Sequence, residues 1–309
     1  MKFIGEKVQQ WKKIGKIISP NGKLFWNYSH AMLPIADHLY DDIFRIYYSG
    51  RNKDNVSHIG AITIDLNEPS RCLDITENPL MYPGSLGCFD DNGVSPSCIV
   101  NLPDKKLLYY IGWKPRSTTR LSVVAGLAES LDGGLTYNRV SRAPILIKNH
   151  LEPYDIMTAP WVIKDGNIFR MWYVSGEAWI NPDLPVYNIK YAESFDGAKW
   201  DQKGIVAIKA INEFETALAR PCVVKRADKY QMWYSYKRDS KAYRIGYAES
   251  TDGVNWIRMD DSVGIETSKE GWDSEMIEYG AIFSHREKTY MLFNGNGYGL
   301  SGAGLAVLI

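Results

Sequence analysis

Residues 191–200 read YAESFDGAKW, and nearly the same letters, YAESTDGVNW, return at 247–256. A looser copy, GLAESLDGGLTY, occupies 126–137. The three copies follow one another at intervals of about 60 residues, the scale of a repeated supersecondary unit. Each contains an Asp-Gly pair, which is a strong hairpin signal because both turn positions accept positive φ. The stretch therefore predicts a fold built from repeated hairpins.

A second motif, an aromatic strand that ends in a polar turn, runs in step with the first. It occurs as FRIYYSGR (44–51), LLYYIGWK (107–114), FRMWYVSGE (169–177), YQMWYSYK (230–237) and YMLFNGNG (290–297). A short apolar run precedes each copy, as in APWVI at 159–163 and RPCVV at 220–224. Each unit then contains four short antiparallel strands, without long helical periodicity. Repeated four-stranded sheets predict an all-β fold, a β-propeller, and the five copies predict five blades.

The two ends of the chain are predicted to meet in one blade. Residues 11–19, WKKIGKIIS, resemble the outer strand WDQKGIVAI at 200–208, whereas the last unit ends at GAGLAVLI without an outer strand of its own. We predict that 11–19 supplies that N-terminal closing strand, because a latch of this kind removes an open sheet edge. Residues 1–309 are then a single five-bladed domain.

Composition limits the classes of function. The chain has 309 residues, 13% of them aromatic, and a formal net charge of zero, which favours neither nucleic acid nor a membrane surface as a partner. No apolar run reaches the roughly 18 residues of a membrane span, and the first residues lack the apolar core of a signal peptide. The four cysteines have no metal-type spacing. We therefore expect a cytoplasmic protein with reduced thiols and without a metal or cofactor.

The Asp-Gly turns themselves are interpreted as scaffold. In a four-stranded blade they lie on the face opposite the central funnel, where Asp132, Asp196 and Asp252 are predicted to accept backbone N–H bonds within the turn. The first copy, at 130–137, resembles the Ser-x-Asp-x-Gly-x-Thr-Trp box of sialidases. The arginine triad of those enzymes cannot be assigned in this sequence, so we interpret the box as structural.

The funnel face should receive the starts of the inner strands, and these starts are rich in acids. Asp91 and Asp155 each lie five residues before the proline of the following apolar run, and Glu275 lies five residues before Gly280. Acids at equivalent places on separate blades would face one another near the axis. We predict Asp91, Asp155, Glu275 and Glu278 as catalytic carboxylates, with Glu275 or Glu278 as the proton donor. The alternative for any single acid is a structural role, as a turn cap or an arginine partner.

Glycosidic chemistry explains why such acids would be gathered. One carboxyl group protonates the leaving oxygen, while a second carboxylate activates water or attacks the anomeric carbon. Crowded carboxylates also raise one another's pKa values. Aromatic rings can carry sugar faces, and cations suggest a negative group on the substrate or a phosphate. The predicted substrate-binding residues are His30, Arg51, Trp113, Lys114, Trp179, Glu215, Arg220, Lys237 and Arg238.

The YAESxDGxxW hairpins, the MWYS strands and the five units together resemble the five-bladed propeller glycosidases over nearly the whole chain. That group includes the arabinanases and xylosidases of glycoside hydrolase family 43, the invertases and levansucrases, and the mannoside phosphorylases of family 130. The resemblance implies an axial funnel, two or three catalytic carboxylates and action on a glycoside. Two departures stand out: Tyr28, Ser29 and His30 occupy the place of the first-blade Asp, and Glu278-Tyr279-Gly280 is the nearest match to the Glu-Gly-Pro motif of the general acid.

The sequence therefore predicts a glycoside hydrolase that acts on an oligosaccharide or an anionic glycoside. A glycoside phosphorylase or glycosyltransferase on the same scaffold is the first alternative, and phosphate would then be a second small-molecule partner. A non-catalytic propeller that binds carbohydrate or another protein is the second alternative. Sugar identity, linkage, stereochemistry and oligomeric state are left open at this point.

Overall fold

The computed structural model describes residues 8–238 and 242–309, and β-strands make up most of that part of the chain. In chain order the strands are β1 (Trp11–Ile18), β2 (Ser29–Tyr40), β3 (Ile43–Arg51), β4 (Ser57–Asp65), β5 (Cys72–Ile75), β6 (Val94–Asn101), β7 (Lys106–Pro115), β8 (Leu121–Ser130), β9 (Asn138–Arg139), β10 (Ile156–Asp165), β11 (Ile168–Asn181), β12 (Leu184–Ser194), β13 (Asp201–Ile208), β14 (Glu215–Arg226), β15 (Lys229–Arg238), β16 (Arg244–Ser250), β17 (Ile257–Arg258), β18 (Glu278–His285), β19 (Lys288–Asn294) and β20 (Ala303–Leu308). The described helical elements are two 3₁₀ turns, Phe25–Asn27 and Asp260–Ser262, and one helical turn, Asn296–Gly299. None of these is long and apolar enough to cross a membrane.

The strands form a repeated four-stranded unit, as predicted. Three sheets have four strands each, in the orders β2-β3-β4-β5, β14-β15-β16-β17 and β1-β20-β19-β18. A larger sheet has the order β13-β12-β11-β10-β8-β7-β6, with β9 beside β8. It contains two units that join where β10 pairs in parallel with β8. The all-β class is confirmed, whereas the count of five blades stays a prediction because two units share one sheet.

The predicted closure between the chain ends is confirmed. Strand β1 pairs antiparallel with β20, from Trp11 opposite Leu308 to Ile18 opposite Ala303. The N-terminal strand therefore covers the edge that β20 would otherwise leave open.

The main core lies between neighbouring sheets. Ile46 of β3, Leu108 of β7 and Leu292 of β19 are fully buried and belong to one apolar cluster, although they come from three different sheets. Alternate residues along each strand face opposite sides of the sheet. A strand that is covered on both sides therefore buries apolar side chains on both faces, and its sequence is a nearly continuous apolar run.

Each Asp-Gly turn is held by its own side chains. In the second copy, Ser194 Oγ accepts a bond from the Gly197 N–H at 2.9 Å, and Asp196 Oδ1 accepts bonds from the N–H groups of Lys199 and Ala198 at 2.8 Å. These backbone bonds hold the pKa of Asp196 below its usual value. The other two copies repeat the pattern. The predicted structural role of these aspartates is confirmed.

The same turns also join one repeat to the next. In each of three repeats, an aromatic side chain of the second strand donates a hydrogen bond to a glycine carbonyl in the Asp-Gly turn of the following repeat. The three bonds are Tyr47 Oη to Gly134 O at 3.1 Å, Tyr109 Oη to Gly197 O at 2.8 Å and Trp172 Nε1 to Gly253 O at 2.8 Å. Buried Tyr and Trp pack through an apolar body and bond through a polar tip, so both repeated motifs are needed for one joint.

Candidate functional site

The inner strands β2, β6, β10, β14 and β18 each carry a bulge at a corresponding place. Their pairing with the next strand shifts between Met32 and Ile35, Pro96 and Cys98, Thr158 and Trp161, Ala219 and Cys222, and Glu278 and Ala281. At four of these bulges a non-glycine residue has positive φ: Leu33 (55°), Ala159 (47°), Arg220 (50°) and Tyr279 (58°). Bulges redirect side chains, and strained backbone of this kind concentrates at functional sites.

These bulges surround a cavity of about 460 Å³, which we call the central cavity. Its lining includes a bulge residue from four inner strands, namely Leu33, Ala159, Arg220 and Tyr279, and Ser95, which precedes the bulge of β6. The volume lies within the range of small-molecule sites, roughly 300–1,000 Å³. The repeated strand starts therefore do meet at one concavity, as predicted.

Aromatic side chains form much of the cavity wall. They are Trp113, Tyr187, Tyr243, Tyr279 and Tyr298. The Tyr243 ring lies 5.8 Å from that of Tyr279 and 6.2 Å from that of Tyr298, between centroids. Burial raises the pKa values of Tyr243 and Tyr279 well above the usual range, so both phenols keep their protons and can donate hydrogen bonds. Such rings offer a flat apolar face together with a polar tip.

Three arginines also line the cavity, and Arg220 is the most deeply buried, with 1% of its surface exposed. Its Nη1 and Nη2 atoms donate to the carbonyl oxygens of Tyr279 (3.2 Å) and Ser97 (3.1 Å). The guanidinium lies 5.5 Å from the Trp161 ring centroid. Burial lowers the pKa of Arg220 to about 10, so it remains a cation at neutral pH.

The second arginine, Arg51, occupies another part of the wall. Its Nη1 donates to Asn55 Oδ1 at 2.7 Å, and its guanidinium lies 5.8 Å from the Trp113 ring centroid. Burial and the nearby Arg51 cation lower the pKa of His30 to about 4. His30 is therefore neutral at pH 7. The third arginine, Arg120, is exposed.

No acidic side chain occurs among the described residues that line the central cavity. The predicted carboxylate next to it is Glu278, which is fully buried and has one oxygen without a partner among the described groups. Its Oε1 accepts from Asn294 Nδ2 at 3.4 Å, and Asn294 Oδ1 accepts from the N–H of the lining residue Leu33 at 3.0 Å. Burial raises the pKa of Glu278 well above its usual value and so favours the protonated carboxyl group.

The other three predicted carboxylates do not line the cavity. Asp91 Oδ2 accepts from the Gly87 N–H at 2.8 Å. Asp155 lies 3.4 Å from Arg116 and 3.3 Å from Lys148, between charged atoms. Glu275 is exposed. The catalytic roles of these three residues stay predictions.

The predicted substrate-binding residues divide into two sets. Arg51, Trp113 and Arg220 line the cavity, and Trp179 packs against an apolar cluster that contains lining residues. His30 lies near Arg51, whereas Lys114 donates to the Cys88 carbonyl at 3.4 Å and Lys237 is half-buried on β15.

Glu215 and Arg238 lie in a buried ion cluster away from the cavity lining. Glu215 pairs with Arg238 at 2.7 Å and with Arg258 at 2.6 Å. Both arginines also contact Asp260, at 2.6 and 2.7 Å. These contacts give both residues a structural function, and their predicted contact with substrate stays untested.

Similar ion pairs recur ahead of several inner strands, and sequence reasoning missed them. In each, a buried acid just before an inner strand, or at its first residue, meets a cation from another part of the chain. The pairs are Asp90 with Arg139 at 2.7 Å, Glu152 with Lys190 at 3.0 Å, Glu215 with Arg258 at 2.6 Å and Asp273 with Lys13 at 2.5 Å. Much of the acid-rich pattern therefore serves to fasten the loops that precede the inner strands.

Sequence reasoning also missed several lining residues, including Arg120, Tyr187, Tyr243 and Tyr298. These residues lie between second and third strands, or at the start of the third, and such connections reach the same face as the starts of the inner strands. The strand order indicates these positions, because the chain returns to the face where the inner strands start after the second strand of each unit.

Comparison with known proteins gives relatives at two levels of similarity. No protein-family model matches the chain. The Mycobacterium tuberculosis proteins MT1551 (strain CDC 1551) and Rv1502 (strain H37Rv), both uncharacterized, are each 42% identical to it over 299 residues. The match covers 96% of this chain and 99% of each relative.

Solved structures are similar to this protein at a second level, that of the fold, with low sequence identity. A structure of BT0996 in complex with RGII has a TM-score of 0.72 and 18% identity, and the match covers 97% of this protein and 92% of that one. A thermostable family-43 glycoside hydrolase has a TM-score of 0.66 and 14% identity over 91% of this protein and 88% of that one. The Bombyx mori family-32 β-fructofuranosidase BmSUC1 has a TM-score of 0.62 and 16% identity, and the match covers 90% of this protein and 61% of that one. The predicted resemblance to propeller glycosidases is confirmed at the level of the fold.

Proposed function

We propose that this chain, which belongs to the same family as the mycobacterial proteins MT1551 and Rv1502, is a glycoside-active enzyme that works in the central cavity of a single five-bladed propeller. One observation carries the proposal: a buried carboxyl group of raised pKa, Glu278, lies beside a cavity lined with aromatic side chains. A general acid of raised pKa and rings that fit sugar faces are what cleavage of a glycosidic bond requires. The fold shared with glycoside hydrolases supports the same conclusion.

Glu278 is the proposed proton donor to the leaving oxygen. Its raised pKa supports this role, because a general acid must hold its proton at the working pH. The carboxyl group is fully buried, and the phenols of Tyr243, Tyr279 and Tyr298 line the cavity beside it. We assign the path of the proton from Glu278 to the substrate to this group of phenols.

Asp155 is the proposed second carboxylate, which activates water or attacks the sugar. Its backbone carbonyl accepts from the N–H of the lining residue Val123 at 3.0 Å, so Asp155 lies next to the cavity lining. Its carboxylate oxygens lie 3.4 Å from Arg116 and 3.3 Å from Lys148, so two cations stand beside the group proposed as base or nucleophile. Asp91 and Glu275 are kept as candidates for anchoring substrate hydroxyl groups at the rim.

The proposal is tested by turnover of a panel of aryl and natural glycosides, followed by substitution. We expect Glu278→Gln to lower kcat by about 10²-fold or more on poor leaving groups and much less on nitrophenyl glycosides, whose leaving oxygen needs little protonation. Asp155→Asn should lower kcat on both kinds of substrate. Asp201→Asn is the matched control, because Asp201 is 59% exposed and pairs only with Lys203 among its described neighbours. Full activity of both Glu278→Gln and Asp155→Asn would refute the assignment.

A further inference from the structure

We propose that the central cavity recognises an anionic group of its ligand, a carboxylate or a phosphate, through the guanidinium groups of Arg51, Arg120 and Arg220. This inference rests on the proposed function, because it names the class of substrate that the same cavity takes. A uronoside would bring the anion on the sugar itself. Phosphate would bring it as the group that accepts the cleaved sugar.

The charge balance of the cavity carries the inference. Three arginines line it, and no acid occurs among the described lining residues. The nearby titratable groups do not compensate, because Glu278 is held protonated by its burial and His30 is neutral at pH 7. The cavity therefore presents uncompensated positive charge inside the protein, where a cation normally requires a partner.

Several other partly buried cations of the chain do have carboxylate partners. Arg139, Arg238 and Arg258 are each paired with a carboxylate at 2.6–2.7 Å. Among the described residues, no carboxylate lies within 4.0 Å of the guanidinium groups of Arg51, Arg120 or Arg220. The three arginines of the cavity thus lack the carboxylate partners that neutralise Arg139, Arg238 and Arg258, which indicates that the counter-charge there comes with the ligand.

Arg220 is a buried cation without a counter-charge among the described residues. Its two carbonyl partners satisfy hydrogen bonds but carry no net charge, and its Nε has no partner among the described groups. Its φ of 50° is a strained conformation for a long side chain. An uncharged residue in a relaxed conformation would serve packing better, so burial and strain together point to recognition.

The other two arginines extend the anion site from the floor to the mouth. Arg51 lies over the Trp113 ring at 5.8 Å, so a planar or tetrahedral anion can meet a guanidinium fork next to an aromatic face. Arg120 is exposed and can attract an anionic ligand from solution, an effect that salt screens. This combination fits an anionic sugar or a sugar with phosphate better than a neutral sugar alone.

The test is a binding measurement that does not depend on turnover. Isothermal titration calorimetry compares galacturonate and glucuronate with galactose and glucose, and measures inorganic phosphate separately. The variants are Arg51→Gln, Arg120→Gln and Arg220→Lys, and the matched control is Arg71→Gln, because Arg71 is 72% exposed and pairs with Glu68 on the surface. The two glutamine variants keep the test valid if a change at the buried Arg220 prevents folding.

We expect at least one anionic probe to bind about tenfold or more tightly than its neutral counterpart, or inorganic phosphate to bind on its own. Binding should fall about tenfold or more in Arg51→Gln and Arg120→Gln, stay unchanged in Arg71→Gln, and weaken as salt rises from about 20 to about 200 mM. Binding of uronates without phosphate assigns the anion to the substrate. Binding of phosphate without uronates assigns it to the acceptor and favours phosphorolysis.

Two results would overturn the inference: no preference for any anionic probe, or binding that survives both glutamine substitutions. Its failure can be told apart from failure of the proposed function. Turnover of neutral glycosides without anion binding would leave the enzyme proposal standing and remove the inference. Anion binding without turnover of any glycoside would support the anion site and count against the proposed reaction.

Discussion

The indole Nε1 of Trp172, in β11, donates a 2.8 Å hydrogen bond to the carbonyl oxygen of Gly253, in the turn that follows β16. The two residues belong to different sheets and to the two different repeated motifs of the sequence. Equivalent bonds join Tyr47 to Gly134 and Tyr109 to Gly197. The repeats therefore encode contacts between neighbouring units as well as the units themselves, and these contacts can be tested directly.

The two glycines of the first turn give a matched test of this joint. Both have positive φ, 76° at Gly133 and 90° at Gly134, but a methyl group at Gly133 would meet open space, whereas one at Gly134 would collide with the Tyr47 hydroxyl. Alanine at either position carries the conformational penalty of positive φ, about 1 kcal/mol. We expect Gly134→Ala to lower the free energy of unfolding by at least about 1 kcal/mol more than Gly133→Ala does, since it also displaces Tyr47. Urea denaturation of both variants measures the difference, and equal losses would contradict a packed joint.

The hydroxyl group of Tyr109 provides a second test. Tyr109→Phe leaves the ring in place but removes the donor to Gly197 O, so a buried carbonyl loses a partner. We expect the free energy of unfolding to fall by about 1–2 kcal/mol. Tyr40→Phe is the control, because Tyr40 is 63% exposed. A loss no greater than that of the control would mean that water replaces the bond.

Glu278 should make stability depend on pH. Its pKa is raised in the folded protein, so between the unfolded value, near 4.5, and the folded value the native state binds more protons than the unfolded state. The stability of the wild type must then fall as pH rises above about 4.5, by up to about 1.4 kcal/mol per pH unit from this one group. We expect Glu278→Gln to be increasingly stabilising relative to the wild type as the pH rises above about 5. Chemical denaturation at several pH values measures it, and a difference that does not vary with pH would show that the carboxyl group is not held protonated.

Glu215 separates a structural role from the predicted role in substrate binding. Its removal leaves Arg238 and Arg258 with only Asp260 as a charged partner, and breaking a buried ion cluster costs about 3–5 kcal/mol. We expect Glu215→Gln to lower the free energy of unfolding by that order. Glu249→Gln, at the more exposed pair with Lys229, should cost less than about 1 kcal/mol. A Glu215→Gln variant with normal stability and a raised KM would instead support contact with substrate.

Much of the fold can be predicted because its signals are local. The Ser-x-Asp-Gly turns form from bonds between residues at most four apart, as between Ser194 and Gly197, so the motif specifies its own conformation wherever it occurs. The closing strand β1 could also be predicted, because it repeats the pattern of an outer strand. The sheet shared by two repeats could not, since the pairing of Ile156 with Val123 depends on how neighbouring repeats approach.

The sequence by itself determined the repeated hairpins, the four-stranded unit and the face on which a cavity would form, because each follows from short-range patterns of apolar, glycine and turn residues. It also placed Arg51, Trp113 and Arg220 on that face. Only the tertiary structure decided which charged side chains have no oppositely charged partner among the described residues. The partner of Asp90 is 49 residues away and that of Asp273 is 260 residues away, whereas Arg220 meets no carboxylate among the described residues. Charge compensation depends on distances between side chains from remote parts of the chain, and spacing along one strand does not contain them.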